Sequence, residues 1–467
     1  MSFPMYPVYK NSGVEWLGSV PEHWAIFSLK RSVDGCTNGL WGDEPDGEND
    51  LAVIRVADFD RATCRVGLDK LTYRSIKQKE RASRLLQSGD LLIEKSGGGE
   101  KTLVGCVVLF EHDFEAITSN FVARMRPLHE FDSGFLCYSF DSLYQGKVNF
   151  PAIKQTTGIQ NLDSESYLQE RFCFPSLPEQ TQIARFLDHE TARIDALIEE
   201  QQRLIELLKE KRQAVISHAV TKGLDPTAPM KDSGVEWLGE VPAHWEVKRL
   251  RYLLKANGLI RGPFGGDLKK EIFVERGVKV YEQKNAIYRD FSLGNSFITQ
   301  DKFSEMRRFE VKAGDYIMSC SGTIGRAYRI PEEAPVGIIN QALLVIRFSE
   351  ELGFEFADWI FVADFFANQI IDNSQGGAMK NLVGMDVFTS ISMPVPSVQE
   401  QLSIAKYLRD EVSRIDALIS AAGQAVNLMQ ERRSALISAA VTGKIDVRGW
   451  QPPAHTQAPE PAVAEAV

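Results

Sequence analysis

The chain contains most of itself twice. KNSGVEWLGSVPEHW (residues 10–24) returns as KDSGVEWLGEVPAHW (231–245), with twelve of fifteen positions identical at an offset of 221. The same offset relates EQTQIARFLDHETARIDALI (179–198) to EQLSIAKYLRDEVSRIDALI (400–419), and KRQAVISHAVT (211–221) to RRSALISAAVT (432–442). A duplication of this kind restricts the fold to two copies of one scaffold. Between the matched flanks the halves diverge, so each copy carries its own insert of about 150 residues.

Only fragments are shared by the inserts. QSGDLLIEKSG (87–97) resembles KAGDYIMSCSG (312–322), IQNL ending at Leu162 resembles MKNL ending at Leu382, and Asn120 matches Asn340 as a shared turn. LAVIRVADF (51–59), LVGCVVLF (103–110) and FVARMRP (121–127) are short apolar runs bounded by turn residues, as are KVYEQKNAIY and ALLVIRF in the second half. Such runs predict strands. FEFADWIFVADFFANQII (354–371) predicts one amphipathic helix, with FDSGFLCYSFDSLYQ as its weaker partner. The inserts therefore read as mixed α/β domains.

The repeated downstream segment predicts a long helix. Ile183, Leu187, Ile194, Ile198, Ile205, Leu208 and Val215 recur at three-, four- and seven-residue steps. Ile404, Leu408, Ile415, Ile419, Val426, Met429 and Leu436 repeat the stripe 221 residues later. Pro178 lies just before the first helix, and Gly223 and Pro226 mark the break after it. A rod of about 40 residues spans roughly 60 Å, too long for its own domain to cover a narrow stripe. Pairing with the twin as an antiparallel coiled-coil hairpin covers both. The expected class is α+β: two mixed domains separated by two long antiparallel helices, with a pseudo-twofold repeat.

Composition narrows the chemistry. Net charge is −10 and the sequence pI is about 5.4, which argues against coating nucleic acid by bulk electrostatics. The inserts are not basic either: Trp24–Phe174 holds 18 Lys/Arg against 22 Asp/Glu, and Trp245–Val395 holds 19 against 19. Six scattered cysteines without a C-x-x-C pair suit buried thiols in a reducing cytoplasm. The opening MSFPMYPVYKNSGVEW lacks a secretory pattern, and no apolar run reaches membrane-spanning length. No phosphate-binding loop, [DN]-P-P-[YF] tetrapeptide, nuclease pattern or metal-ligand spacing occurs. His23 and His244, at equivalent repeat positions, read as structural. No catalytic residue and no metal site is expected in this chain.

PSLPEQ…IARFLD…RIDALI and PSVQEQ…IAKYLR…RIDALI, each following a variable domain, resemble the specificity subunits of Type I restriction–modification enzymes. The SGVEWLG.VP.HW segments resemble that family as well. The resemblance implies target recognition domains at 1–175 (with repeat segment 10–24) and 223–395 (with repeat segment 231–245). Conserved spacer helices follow at 176–222 and 396–443, and 444–467 remains as a tail expected to be disordered. It implies a cytoplasmic, non-catalytic chain that binds double-stranded DNA without a cofactor of its own. Two modification subunits would supply S-adenosylmethionine-dependent adenine methylation. Added restriction subunits would use ATP and Mg for cleavage. Each domain would read one half of a bipartite, asymmetric target, with spacing set by the helices. A coiled-coil scaffold whose inserts bind proteins is the alternative.

Reading base edges needs Arg, Lys, Asn or Gln, supported by hydroxyls and backbone amides on phosphates. In the first domain the candidates are Lys95, Ser96 and Lys101 in the glycine-rich EKSGGGEKT, and Lys154, Gln155 and Thr156 in KQTTG. In the second they are Arg261, Lys269 and Lys270 in GLIRGPFGGDLKK, which also carries Phe264, and Ser321, Thr323 and Arg326.

Overall fold

The computed structural model describes residues 3–97, 102–156, 158–263, 266–372, 382 and 384–453. They form two compact units: Met1–Gln201 with Gln424–Val467, and Gln202–Gly423. Each unit holds one variable domain, one copy of the repeated motif and half of each long helix.

In chain order, the site-bearing strands of the first unit are β1 (Thr37–Asn38), β2 (Asp90–Glu94), β3 (Ser96–Gly97), β4 (Val122–Met125), β5 (Ile153–Thr156) and β6 (Ile159–Leu162). β1, β4 and β2 lie side by side, antiparallel, with Val107–Phe110 beyond them. Alternate residues enter different cores. Leu91 and Ile93 pack with Phe135 and Phe140 of the helix Ser133–Gln145, whereas Leu92 packs with Val108 and Phe110 on the other face. Both faces are covered, so these strands read as unbroken apolar runs. Each such side chain contributes about 1.5–3 kcal/mol on burial. β3, β6 and β5 make a separate three-stranded sheet.

The long helix α1 (Leu177–Lys222) leaves the first unit and ends in the second. There β7 (Leu254–Arg261), β8 (Tyr316–Ser319) and β9 (Leu343–Phe348) repeat the pattern, β9 lying between the other two. Tyr316 and Met318 enter one core and Ile317 the other. The pair of buried Asp90 and half-buried Arg126, at 2.7 Å, has its counterpart in Asp315–Arg347, also at 2.7 Å. The second helix, α2 (Val398–Val441), returns to the first unit.

Within the first unit Asp195 pairs with Arg433 and Gln182 donates to the carbonyl of Val447. Partners thus descend along α2 and its continuation as residues ascend along α1. Within the second unit Arg212 pairs with Asp416, and Gly223 lies against Glu400, in the same opposed sense. Of the predicted stripe, Ile183, Leu187, Ile194, Ile404, Leu408, Ile415 and Val426 are buried, and Ile198, Ile205, Leu208, Val215, Ile419, Met429 and Leu436 are half-buried.

The repeated motif docks on the first turn of each long helix. Glu179 is buried and accepts from the Tyr6 hydroxyl at 2.7 Å and Trp24 Nε1 at 3.1 Å, with His23 Nε2 at 3.0 Å. His244 and Glu400 repeat the last contact at 3.0 Å. Tyr6 has no counterpart among those contacts, and buried Trp245 Nε1 is left without a partner.

Several sequence expectations change. Pro178 lies inside the first turn of α1, where its missing N–H costs nothing. The helix expected over 354–371 is two, Phe354–Ile360 and Asp364–Asp372. Gln213 of α1 donates to Val362 O and Asp364 Oδ1, and Ser217 Oγ accepts from the Asp364 amide, so α1 satisfies the broken turn. KVYEQKNAIY is a strand only to Tyr281, because a capping box between Glu282 and Asn285 starts the helix Gln283–Tyr288. LAVIRVADF likewise ends as a strand at Ile54, and Asp58 draws Val56–Asp58 into a tight turn. The turn partner of Asn340 is Ser119 rather than Asn120: their carbonyls accept from Leu343 and Val122 respectively.

The stretch from Lys444, expected to be a disordered tail, packs as far as it is described. Val447 is buried, the Asp446 amide donates to Pro4 O, and Trp450 meets Phe186 edge-on at 5.4 Å. Residues 454–467 lie outside the described residues.

Candidate nucleic-acid interface

The same corner is built in both variable domains. In the first, Asn38 ends β1 opposite Ala123, and the Gly39 amide donates to Val122 O at 3.2 Å. In the second, Arg261 ends β7 opposite Leu344, and the Gly262 amide donates to Leu343 O at 2.9 Å. Glycine is required at both places. A Cβ on Gly39 would sit 2.1 Å from Thr118 O, and one on Gly262 would sit 1.9 Å from Asn340 O. Beside them β2 ends at Glu94 opposite Val122, and β8 at Ser319 opposite Leu343. The next residue in each case accepts a backbone bond from the distant NL fragment: Leu162 N to Lys95 O at 2.8 Å, and Leu382 N to Cys320 O at 2.9 Å.

Side chains at this corner differ. In the first domain Lys95 Nζ donates to Asn38 Oδ1 at 2.8 Å, and the Ser96 hydroxyl donates to Asn161 Oδ1. Ser96, Asn161 and Lys154 form one row across β3, β6 and β5, with Asn161 and Lys154 exposed. The EKSG and KQT stretches, nearly 60 residues apart in sequence, thus meet on one small sheet. Gln155 is exposed in the neighbouring row, beside buried Gln160, which separates it from Gly97. Lys154 Nζ bonds Asp163 Oδ2 at 2.8 Å, which holds that carboxyl below the usual range. Behind the corner, Glu94 is buried against Arg61 at 2.7 Å; burial pushes its carboxyl up, against the pull of the guanidinium. Lys101 lies outside the described residues, and of Thr156 only the backbone, paired with Ile159, is described.

In the second domain Arg261 is exposed and, among the described residues, makes no hydrogen bond or ion pair. Cys320 occupies the place of Lys95; burial pushes its thiol up to about 11 against the opposing charge of Arg261. Ser321 is half-buried, and Thr323 and Arg326 are exposed on the loop after β8. Gln283 Nε2 braces that loop through the carbonyls of Ser321 and Thr323, and the Arg326 amide bonds Ser319 Oγ at 3.1 Å. Lys269 and Lys270 are exposed at the short turn Lys270–Ile272, and no hydrogen bond among the described residues joins them to Arg261. Phe264 lies outside the described residues.

Asn38 and Asn161 escaped the sequence reading. Asn161 stood in the shared NL fragment, and Asn38 carried the one available signal, an Asn-Gly pair ahead of an apolar run. Among the described residues there is no group of acidic, His or Cys side chains able to hold a metal, and no helix long and apolar enough to cross a membrane.

Comparison with known proteins places this architecture. Residues 244–424 match the family model for the Type I restriction modification DNA specificity domain. Across 92% of its length the chain is 23% identical to the putative type I restriction enzyme MjaX specificity subunit of Methanocaldococcus jannaschii, covering 96% of that protein. A chain from a solved type I R-M system, studied for complex assembly and conformational transition, superposes with a TM-score of 0.68. The match covers 90% of this chain and 98% of that one, at 13% identity. The HsdS subunit from Thermoanaerobacter tengcongensis superposes with a TM-score of 0.53 at 14% identity, over 91% and 98% of the two chains. The family match falls on the second copy of the duplication, and the alignment with the MjaX subunit extends over 92% of the chain. In sequence and in fold the chain is similar to the specificity subunits of Type I restriction–modification systems.

Proposed function

We propose that this chain reads a bipartite, asymmetric DNA target, one half through each variable domain. The observation that carries the reading is the corner built twice on one backbone plan with different side chains: Asn38 and Lys95 in one domain, Arg261 and Cys320 in the other. A shared backbone with unlike polar tips is what two unlike half-sites require. In this reading α1 and α2 form one antiparallel coiled-coil pair, which sets half-site spacing and docks two modification subunits. Those subunits bring S-adenosylmethionine, and restriction subunits bring ATP and Mg. The chain itself performs no bond-breaking step. Because neither variable domain carries excess positive charge, the partner subunits supply much of the phosphate contact, and the chain alone binds DNA weakly.

The test is methylome sequencing of cells expressing this chain with its modification subunit, against a chain whose residues 246–395 come from a relative. The expected result is a split motif in which the exchange rewrites one half only. A motif that is unsplit, or changed in both halves, would sink the reading.

A further inference from the structure

We infer that Arg261 and Asn38 are the paired base-reading side chains of the two domains, Arg261 taking a guanine and Asn38 an adenine. The inference rests on the DNA-reading function proposed above.

The backbone argument comes first. Two-pronged recognition of a base edge needs a side chain whose root does not move. Asn38 and Arg261 each end a paired strand, and each precedes a glycine seated so close to a carbonyl oxygen that no side chain fits there. The chain at these points is held by the sheet on one side and by the carbonyl of Thr118 or Asn340 on the other. Both tips are exposed. Among the candidate residues these two alone occupy equivalent strand ends.

The chemistry then separates them. Arg261 has no acidic partner among the described residues, so its parallel N–H groups are available to the O6 and N7 acceptors that guanine presents in the major groove. Asn38 offers one donor group and one acceptor, the pattern that matches adenine N7 and N6. Lys95 fixes the orientation of that amide by donating to Oδ1, which retains a second lone pair, and leaves the Nδ2 donors free of it. Among the described residues the second domain has no such clamp, since Cys320 stands in the place of Lys95, and a guanidinium needs none: its donors are already coplanar.

The test compares methylomes of cells expressing the modification subunit with the full chain, wild type or carrying Arg261→Ala, Arg261→Lys or Asn38→Ala. Arg261→Ala is expected to relax one guanine position in one half-site by about 5- to 150-fold, leaving the other half unchanged. Arg261→Lys should keep part of the preference. Asn38→Ala should relax one adenine position in the opposite half. An unaltered motif in Arg261→Ala, an even loss across both halves, or relaxation of both variants in the same half-site would overturn the assignment. A wild-type chain that directs no split motif would instead defeat the functional reading, and the assignment with it.

Discussion

Arg433 Nε lies 2.9 Å from Asp195 Oδ1, and the pair returns as Arg212 and Asp416, also at 2.9 Å. The two arginines are 221 residues apart, as are the two aspartates, so each helix gives an acid to one pair and a base to the other. Side-chain exposure differs: 12% for Arg433 against 35% for Arg212. Arg433→Ala should therefore cost about 1 kcal/mol and Arg212→Ala less than about 0.5 kcal/mol. Urea unfolding of both variants and of the double mutant reads the difference, and the two losses should add.

Glu179 is the most demanding polar contact of the repeated motif, because three donors converge on a buried carboxylate. Glu179→Ala would strand the Tyr6 hydroxyl and Trp24 Nε1 in the core and should cost about 3 kcal/mol. Glu400 is more exposed and meets only His244 in its own copy of that contact, so Glu400→Ala should cost about 1 kcal/mol. Calorimetric melting distinguishes them; equal losses would mean that Tyr6 adds nothing to the first copy.

Gly262→Ala forces a methyl group into the Asn340 carbonyl. The expected cost is about 1–3 kcal/mol of local strain, with recognition of one half-site impaired. Gly39→Ala should do the same to the other half. Methylation of oligonucleotides mutated in one half at a time would show whether each glycine affects a single half.

Five of the six cysteines are buried and all are free. Burial pushes the thiols of Cys320 up to about 11 and Cys106 up to about 12 and raises those of Cys36 and Cys173, while a hydrogen bond with Cys64 and then burial raise that of Cys137. A raised thiol pKa leaves the protonated, unreactive form dominant at pH 8. For Cys320 about one molecule in a thousand is thiolate there, rising tenfold for each pH unit below 11. Titration with a chromogenic disulfide at pH 8 should find Cys36, half-buried, reacting slowly and first, and all six reacting at once only in denaturant. Rapid reaction of several thiols in the native protein would contradict this packing.

Much of the architecture was legible because it was written twice. The period of Ile183, Leu187 and Ile194, preserved in Ile404, Leu408 and Ile415, marks the buried side of each helix without any structure. The fragments at 87–97 and 312–322 mark equivalent strands, since buried Asp90 and Asp315 each take a half-buried arginine. What escaped depended on contacts between segments distant in sequence. Ile216 and Ile437 are fully buried outside the stripe, because the helix ends turn a second face toward a domain core. The break at residues 361–363 is held by Gln213 and Ser217, nearly 150 positions upstream. Val447 and Trp450 sit in a stretch whose Pro- and Ala-rich continuation reads as tail, and only Pro4, Gln182 and Phe186 reveal otherwise.

For the candidate interface, composition marks the loops rich in cations and hydroxyls but not the strand ends that the fold sets beside them. Cations and hydroxyls are visible in a sequence; a strand end fixed by a neighbouring glycine is not. Asn38 therefore gives no signal by composition, and Lys269 and Lys270, close to Arg261 in sequence, share no bond with it among the described residues.

The first compact unit is discontinuous in sequence, being finished by residues after Gln424, whereas the second is one unbroken stretch. On the ribosome, the middle of the chain is therefore complete while the earliest residues still await their partners. Phe186, Tyr6 and Cys173 stay uncovered until Trp450, Arg448 and Val441 emerge. Synthesis ends by closing what it began, and a translation product that stops short of Val447 releases a chain whose oldest part is the one left unsealed.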